Sequence, residues 1–175
     1  NDAYFISLLK LIQSGYYRAI FAAPPCSTYS VSRFFKAPAG TQSAPPPVRS
    51  RKHILGLPDV PRQHRRELHR ANEITRRLCV LLLAAHRAGS DFAIENPSDR
   101  GNPDDPLLFQ FAEHGPIWLD PNVVELWKAC GLEMATFAQC MLGAATQKYT
   151  SLTYTAGLAP HFRPLRQMIC THTPG

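Results

Sequence analysis

The sequence predicts an α/β fold: a mostly parallel sheet with helices on both faces and a final strand pair free to run antiparallel. Three observations carry this. Two short apolar runs, Tyr17 to Ala23 and Asp91 to Glu95, have the length of buried strands. Between them residues 63 to 88 carry a helical stripe of Leu68, Ala71, Ile74, Leu78, Leu81 and Leu82. Each apolar run stops at turn chemistry, Pro24-Pro25 in one case and Asn96-Pro97 in the other. Strands alternating with helices argue for parallel pairing through crossovers.

Each element has its own signals. Asp2 is placed to cap a first helix with Phe5, Leu8, Leu9 and Ile12 on one face, closed by Ser14-Gly15. Residues 32 to 62 show no period. They hold Arg33, Pro45-Pro46-Pro47, Arg49 and Arg51, and read as one long loop. Residues 102 to 121 read as irregular, with one turn of helix expected at Leu107 to Phe111. Asp120-Pro121 opens a helix carrying Val123, Val124, Leu126 and Trp127 and ending at Gly131. Met134 to Met141 and Tyr149 to Thr155 are strand-like, and the segment Leu142 to Lys148 between them is too long for a tight hairpin turn. A short helix and a polar end follow. The whole of 1–175 is expected to be a single catalytic domain.

The bulk numbers narrow the functional class. The chain has 175 residues, 45% of them hydrophobic and 18% charged, with 16 prolines. Its net charge of +6 suits a polyanionic partner. Five cysteines form no disulfide framework, so an intracellular, reducing compartment is expected, nucleus or cytoplasm undecided. No apolar run approaches the roughly 20 residues of a membrane span. Nothing at the start reads as a secretory signal.

Two residues stand out chemically. Cys26 follows a strand through a rigid Pro-Pro turn among Ser27, Thr28 and Ser30, a place where a thiol can meet substrate and attack once ionised. Its bland reading is a small buried hydrophobe, which is how Cys79, Cys130 and Cys140 read in their apolar segments. Glu95 leaves the next strand, where an acid is costly to bury unpaired and suits acid–base work or anchoring a substrate N–H. Its bland reading is loop pairing with Arg100. Pro25, Asn96 and Pro97 would fix the directions of the two. Adjacent parallel strands lie about 5 Å apart, so Cys26 and Glu95 can flank one planar ligand such as a nucleobase. Ser30, Arg33, Arg49 and Arg51 are candidate nucleic-acid contacts, with a merely solvated loop as the alternative. Cys170-Thr171-His172, with His161 upstream, lacks the spacing of a four-ligand zinc site, so no metal is expected.

Pro24-Pro25-Cys26-Ser27-Thr28-Tyr29-Ser30 and Glu95-Asn96-Pro97, about seventy residues apart with a helix between, resemble the two central motifs of DNA cytosine-5 methyltransferases. That family carries a Pro-Cys turn and a Glu-Asn-Val triplet. The resemblance implies a Rossmann-like methyltransferase sheet, nucleic acid (DNA above RNA) as partner and S-adenosylmethionine as cofactor. It implies that Cys26 attacks C6 of a flipped cytosine and that Glu95 holds and protonates N3. Gln147 falls where the family has the Gln of a Gly-Val-Pro-Gln-x-Arg-x-Arg hairpin, although Tyr149 stands where an Arg should follow. Asp2 and Pro24 are the cofactor contacts the resemblance implies. The family's Phe-x-Gly-x-Gly loop has no counterpart before Pro24, which implies an N-terminally incomplete sheet, completed by a missing segment, another subunit or a homodimer. Two alternatives stand beside this reading. One is a catalytically inactive nucleic-acid-binding or partner domain. The other is a cysteine hydrolase using His53, His64 or His114.

Overall fold

A computed structural model describes residues 2–36, 40 and 44–172; the part of the long-loop expectation at 37–39 and 41–43 lies outside them. The elements are α1 (Asp2–Gln13), β1 (Ala19–Ala22), α2 (Arg62–Arg87), β2 (Asp91–Pro97), α3 (Pro121–Cys130), β3 (Glu133–Ala138), β4 (Tyr149–Tyr154) and α4 (Ala159–Phe162). Short 3-10 turns occupy Val31–Phe34, Ile117–Leu119, Gln139–Leu142, Ala156–Leu158 and Arg163–Gln167. Residues 107 to 111 do not make the expected helical turn. Asp105 instead gathers the N–H groups of Leu108 and Phe109 on its carbonyl in an isolated turn.

Local chemistry explains the helix boundaries. The buried positions of α2 are Leu68, Ala71, Thr75, Cys79, Leu82 and Ala85, a spacing of three and four that keeps one face on the sheet. Asp120 caps α3 by accepting from the Asn122 N–H, Pro121 takes the first turn where no N–H is missed, and Gly131 ends the helix with φ of 60°.

The sheet corrects the expected fold class. Its strand order is β1-β2-β4-β3. Only β1 and β2 run parallel, with Ala22 beside Ile94; β4 is antiparallel to both β2 and β3. The sheet is therefore small, open, mixed and mostly antiparallel, not the mostly parallel Rossmann-like sheet that the alternation of helices and strands suggested. The reason lies after β3. The segment joining β3 to β4 contains a 3-10 turn closed by Gly143 at φ 90°, not a crossover helix, so the chain reverses and β4 inserts between β2 and β3.

Two cores cover the sheet. On one face Phe92 and Ile94 pack with Cys79 and Leu82 of α2, Val123 and Leu126 of α3, and Ile117 and Trp118. On the other, Ala93, Ala135, Phe137, Leu152 and Tyr154 pack beneath Ala159 and the partly buried Phe162 and Leu165. Long helices therefore cover one face, and short helical segments the other. The loop after Ala44 is built, not loose: Val48 is fully buried with Val60 and Leu68, and its carbonyl accepts the Leu57 N–H at 2.9 Å. Among the described residues β1 has no strand on its outer edge, and Phe21 is 63% exposed there. No described helix is long and apolar enough to cross a membrane.

Asp120 both caps α3 and accepts the Tyr29 hydroxyl at 3.1 Å. Replacing it with Ala removes a cap worth about 1 kcal/mol and a buried hydrogen bond worth about 1 to 2 kcal/mol. Urea unfolding of Asp120→Ala is expected to show a loss of about 2 to 3 kcal/mol, against little change for the exposed Glu125→Ala of the same helix.

Candidate functional site

The turn from Pro24 to Ser30 is fastened at nearly every residue. The Pro24 carbonyl accepts from the fully buried Asn96 Nδ2 at 3.1 Å, tying the end of β1 to the end of β2. The Tyr29 N–H donates to the Cys26 carbonyl at 2.9 Å, closing the turn itself. The Ser27 carbonyl accepts from Arg33 Nε at 2.6 Å, and the Ser27 hydroxyl donates to Glu67 at 2.8 Å. The Thr28 hydroxyl accepts from Arg49 at 3.1 and 3.2 Å. The Tyr29 hydroxyl meets Thr75 and Asp120, its ring lies 3.9 Å under the Arg49 guanidinium carbon, and its carbonyl lies 2.8 Å from His114 Nε2. Amid this the half-buried Cys26 thiol is a free cysteine.

Glu95 lies one residue past the last β1–β2 pair but still within β2, paired with Leu152 of β4, while the chain at Cys26 has already left β1 toward the same end of the sheet. Its Oε1 is buried without a hydrogen bond, and the nearest cation is Lys148 Nζ at 3.9 Å. The pairing expected with Arg100 is thus made by Lys148. The Pro97 carbonyl accepts the Trp118 indole N–H at 2.9 Å, which anchors the exit of β2. Pro97, Ser30 and Gln147 come together in one cleft of about 320 Å³, with Ser32, Ser98, Arg100 and Lys148 also on its walls. Pro25 and Ser27, either side of Cys26, border a second hollow against Arg66 and Arg70 of α2.

The arginines singled out from the long loop have different surroundings. Arg33 is 7% exposed and grips both oxygens of Glu67 at 2.7 and 2.8 Å. Arg49 is 2% exposed and also donates to the Ile54 carbonyl. Both guanidinium groups are therefore committed to the Cys26 turn. Arg51 holds both oxygens of Asp99 at 2.9 Å and stays partly open to solvent. Arg100, expected only as a loop partner of Glu95, and Lys148 are the cations on the walls of the cleft. Arg100 follows a strand exit with no periodic signal, and its guanidinium carbon sits 5.5 Å over the Tyr149 ring. Asp2 lies on the helical surface, paired with Arg77 of α2 at 2.5 Å.

Several ionisations are shifted. Burial lifts the Tyr29 hydroxyl to about 12, so it remains a hydrogen-bond donor. Burial lowers the Arg49 pKa, opposed by the nearby Tyr29 and Asp120. Burial opposes the charge on Glu67, but hydrogen bonds from Ser27 and Arg33 outweigh it and its pKa falls. Burial likewise opposes the charge on Asp99, but His114, Arg51 and the Gly101 N–H bring it down to about 2.

No imidazole completes a hydrolase pair. His114 is held by the Tyr29 carbonyl and the Arg100 N–H, and His64 lies beside Gln63 and Glu67. Among the described residues neither of these, nor His53, hydrogen-bonds to the Cys26 thiol. No protein family, curated protein or solved structure matches the chain.

The Asp99 shift has a definite sign. Its folded pKa, about 2, lies below the unfolded value of about 3.9, so its contribution is present above the unfolded pKa and lost as pH falls through the folded one. Unfolding of the wild type is expected to lose about 2 kcal/mol more stability between roughly pH 5 and pH 2 than Asp99→Asn does. Identical acid profiles for the two proteins would remove Asp99 from this role.

Proposed function

We propose that this chain acts on cytosine in nucleic acid, DNA before RNA, through covalent addition of Cys26 to the pyrimidine ring, the step that prepares C5 for methyl transfer. The observation that carries the reading is a turn fastened around a free thiol just past β1 and, on the neighbouring strand β2 one residue beyond its pairing with β1, a carboxyl group with one buried oxygen left without a hydrogen bond. Cytosine suits such a carboxyl group. Its ring presents an N4 amino donor next to the N3 acceptor, so one carboxyl group can accept from the first and donate to the second.

The chemistry follows from those two groups. The Cys26 thiolate forms a bond to C6, the C5=C6 π pair moves toward C5, and the charge drawn into the ring is met by a proton delivered from Glu95 to N3. C5 is then nucleophilic. C5 can then take a proton from water; loss of the original C5 proton to water, expulsion of the thiolate and return of the N3 proton to Glu95 restore the base. The base has to leave its stack to reach the site, and the cleft cations Arg100 and Lys148 suit the phosphates that flank it.

S-Adenosylmethionine supplies a methyl group in this class of reaction. The described residues fit it poorly, because the Asp2 carboxylate is held by Arg77 and the Pro24 carbonyl by Asn96. This chain's own part therefore ends at the activated ring. A second reading, a domain that binds nucleic acid or a partner chain without turnover, draws support from the unpaired edge of β1 with its exposed Phe21.

Addition to C6 has a readout that needs no methyl donor: exchange of the C5 hydrogen with solvent. Incubation of a cytosine-containing oligonucleotide in heavy water is expected to deposit deuterium at C5, read by mass spectrometry. Cys26→Ala is expected to abolish the exchange, and Glu95→Gln to slow it about 100- to 10,000-fold. The absence of exchange with the wild type, or equal exchange in Cys26→Ala, would sink the proposal; binding without exchange would identify the second reading.

A further inference from the structure

Away from the Cys26 turn, three soft ligands converge. Cys140 lies in the 3-10 turn after β3, and Cys170 and His172 lie in the tail beyond the last 3-10 turn. One ligand atom from each falls within 4.8 Å of both others, and Cys170 Sγ is 3.4 Å from His172 Nδ1. Tetrahedral zinc with bonds of about 2.3 Å to sulfur and 2.0 Å to nitrogen needs ligand separations near 3.5 Å, so only small side-chain movements are required. We propose that Cys140, Cys170 and His172 bind a zinc ion that ties the C-terminal tail to the segment between β3 and β4.

The backbone brings these ligands together without help from the ion. The Ala138 N–H donates to the Met168 carbonyl at 2.8 Å, just before Cys140 and Cys170 in their respective segments. The Cys170 N–H donates to the Tyr149 hydroxyl at 3.2 Å, fixing the tail against the start of β4. Cys140 and Cys170 pack on the small core of Leu108, Ala138 and Tyr149. Such preorganisation distinguishes the trio from cysteines that drift together on a loose tail. A Cys/Cys/His set is soft and nitrogen-containing, which favours zinc over the hard oxygen-seeking cations. Cys140 and Cys170 are half-buried and His172 is exposed, so the site is open to water. Binding converts the two thiols to thiolates and releases their protons to water, so affinity rises with pH.

The ion has a consequence for the cleft. Gln147 and Lys148 sit on the same short segment as Cys140, and Lys148 is the cation next to Glu95. Zinc at this point would fix the start of that segment. A disulfide between Cys140 and Cys170 is the competing use of the two thiols, but it gives His172 no part.

The test uses the whole chain, purified under reducing conditions and loaded with zinc. Elemental analysis after gel filtration is expected to give about one zinc per chain. It should give none for Cys140→Ser, Cys170→Ser or His172→Ala, and the wild-type value for Cys130→Ser. Cobalt in place of zinc should give the strong visible bands of a tetrahedral site and a thiolate charge-transfer band that the cysteine variants lose. Far-ultraviolet circular dichroism checks that each variant is folded, and a chelator should lower the melting temperature of the wild type but not of a folded Cys140→Ser. A wild type that retains no zinc overturns the proposal, as does a Cys140–Cys170 peptide lighter by two hydrogens from metal-free protein. No substrate enters these measurements, so their outcome is independent of cytosine chemistry at Cys26.

Discussion

The buried hydroxyl of Tyr29 sits where the sheet, the long loop and two helices meet. It reaches Thr75 on α2 and Asp120 at the start of α3, while the ring carries the guanidinium of Arg49 and the carbonyl holds His114. An arginine 2% exposed is costly unless its donors are filled and its charge is offset. Here the Thr28 hydroxyl and Ile54 carbonyl fill the donors, and the Tyr29 ring face and the Asp120 charge offset the cation. Removal of any one member leaves the others buried with an open valence, so the network holds or fails together. The Cys26 turn inherits its shape from this arrangement, because Thr28 and Tyr29 are members of it and the Tyr29 N–H closes the turn on the Cys26 carbonyl.

This dependence explains which features were legible in the sequence. Elements whose signals are local came through: the Pro24-Pro25 stop, the Asp120-Pro121 and Gly131 limits of α3, and the existence of α2, whose buried face is nonetheless shifted from the expected Ile74, Leu78 and Leu81 to Thr75, Cys79 and Ala85. Strand order was not legible, because insertion of β4 between β2 and β3 depends on the path of the chain after Ala138, and the alternation of helix and strand is the same for either topology. Arg33 and Arg49 show the same limit at the level of a side chain. An aperiodic proline-rich loop looks solvated, and nothing near Arg49 in sequence announces that Thr28 and Tyr29 will be its partners. The end of β1 before Cys26 was legible because proline punctuation is local, but β2 runs on through Glu95 to Pro97, and the Lys148 partner of Glu95 comes from the loop before β4, about fifty residues later.

The cleft and the thiol occupy different mechanical settings. Cys26 stands on a turn locked by buried hydrogen bonds, and it cannot move far without breaking the Tyr29 network. Glu95 faces a segment whose own hydrogen bonds are few: Gln139 N–H to the Lys148 carbonyl at 2.9 Å and Ala144 N–H to the Gln139 carbonyl at 3.2 Å close it at its base, and its side chains are largely exposed. Local opening is drawn from such regions, with little buried apolar area to hold them. For the proposed reaction, a thiol on a rigid turn together with an adjustable cation at Glu95 is a workable division, since an entering base would have to displace Lys148 from beside the Glu95 oxygen.

That division makes the tail part of the site's mechanics, although it lies behind the cleft. With the Cys140 segment tied only by backbone bonds, Lys148 can swing with the loop; with Cys140, Cys170 and His172 joined, the loop's root is fixed and only its tip moves. The distance of 3.9 Å between Lys148 and Glu95 is too long for a hydrogen bond and short enough for attraction, so small changes at the root alter how strongly the cation covers the carboxyl oxygen. The covering is also weak enough to yield, because Lys148 is 43% exposed and water screens an ion pair at that depth. A donor such as the N4 amino group of cytosine, arriving with hydrogen-bond geometry, offers the buried oxygen what the lysine at this distance does not.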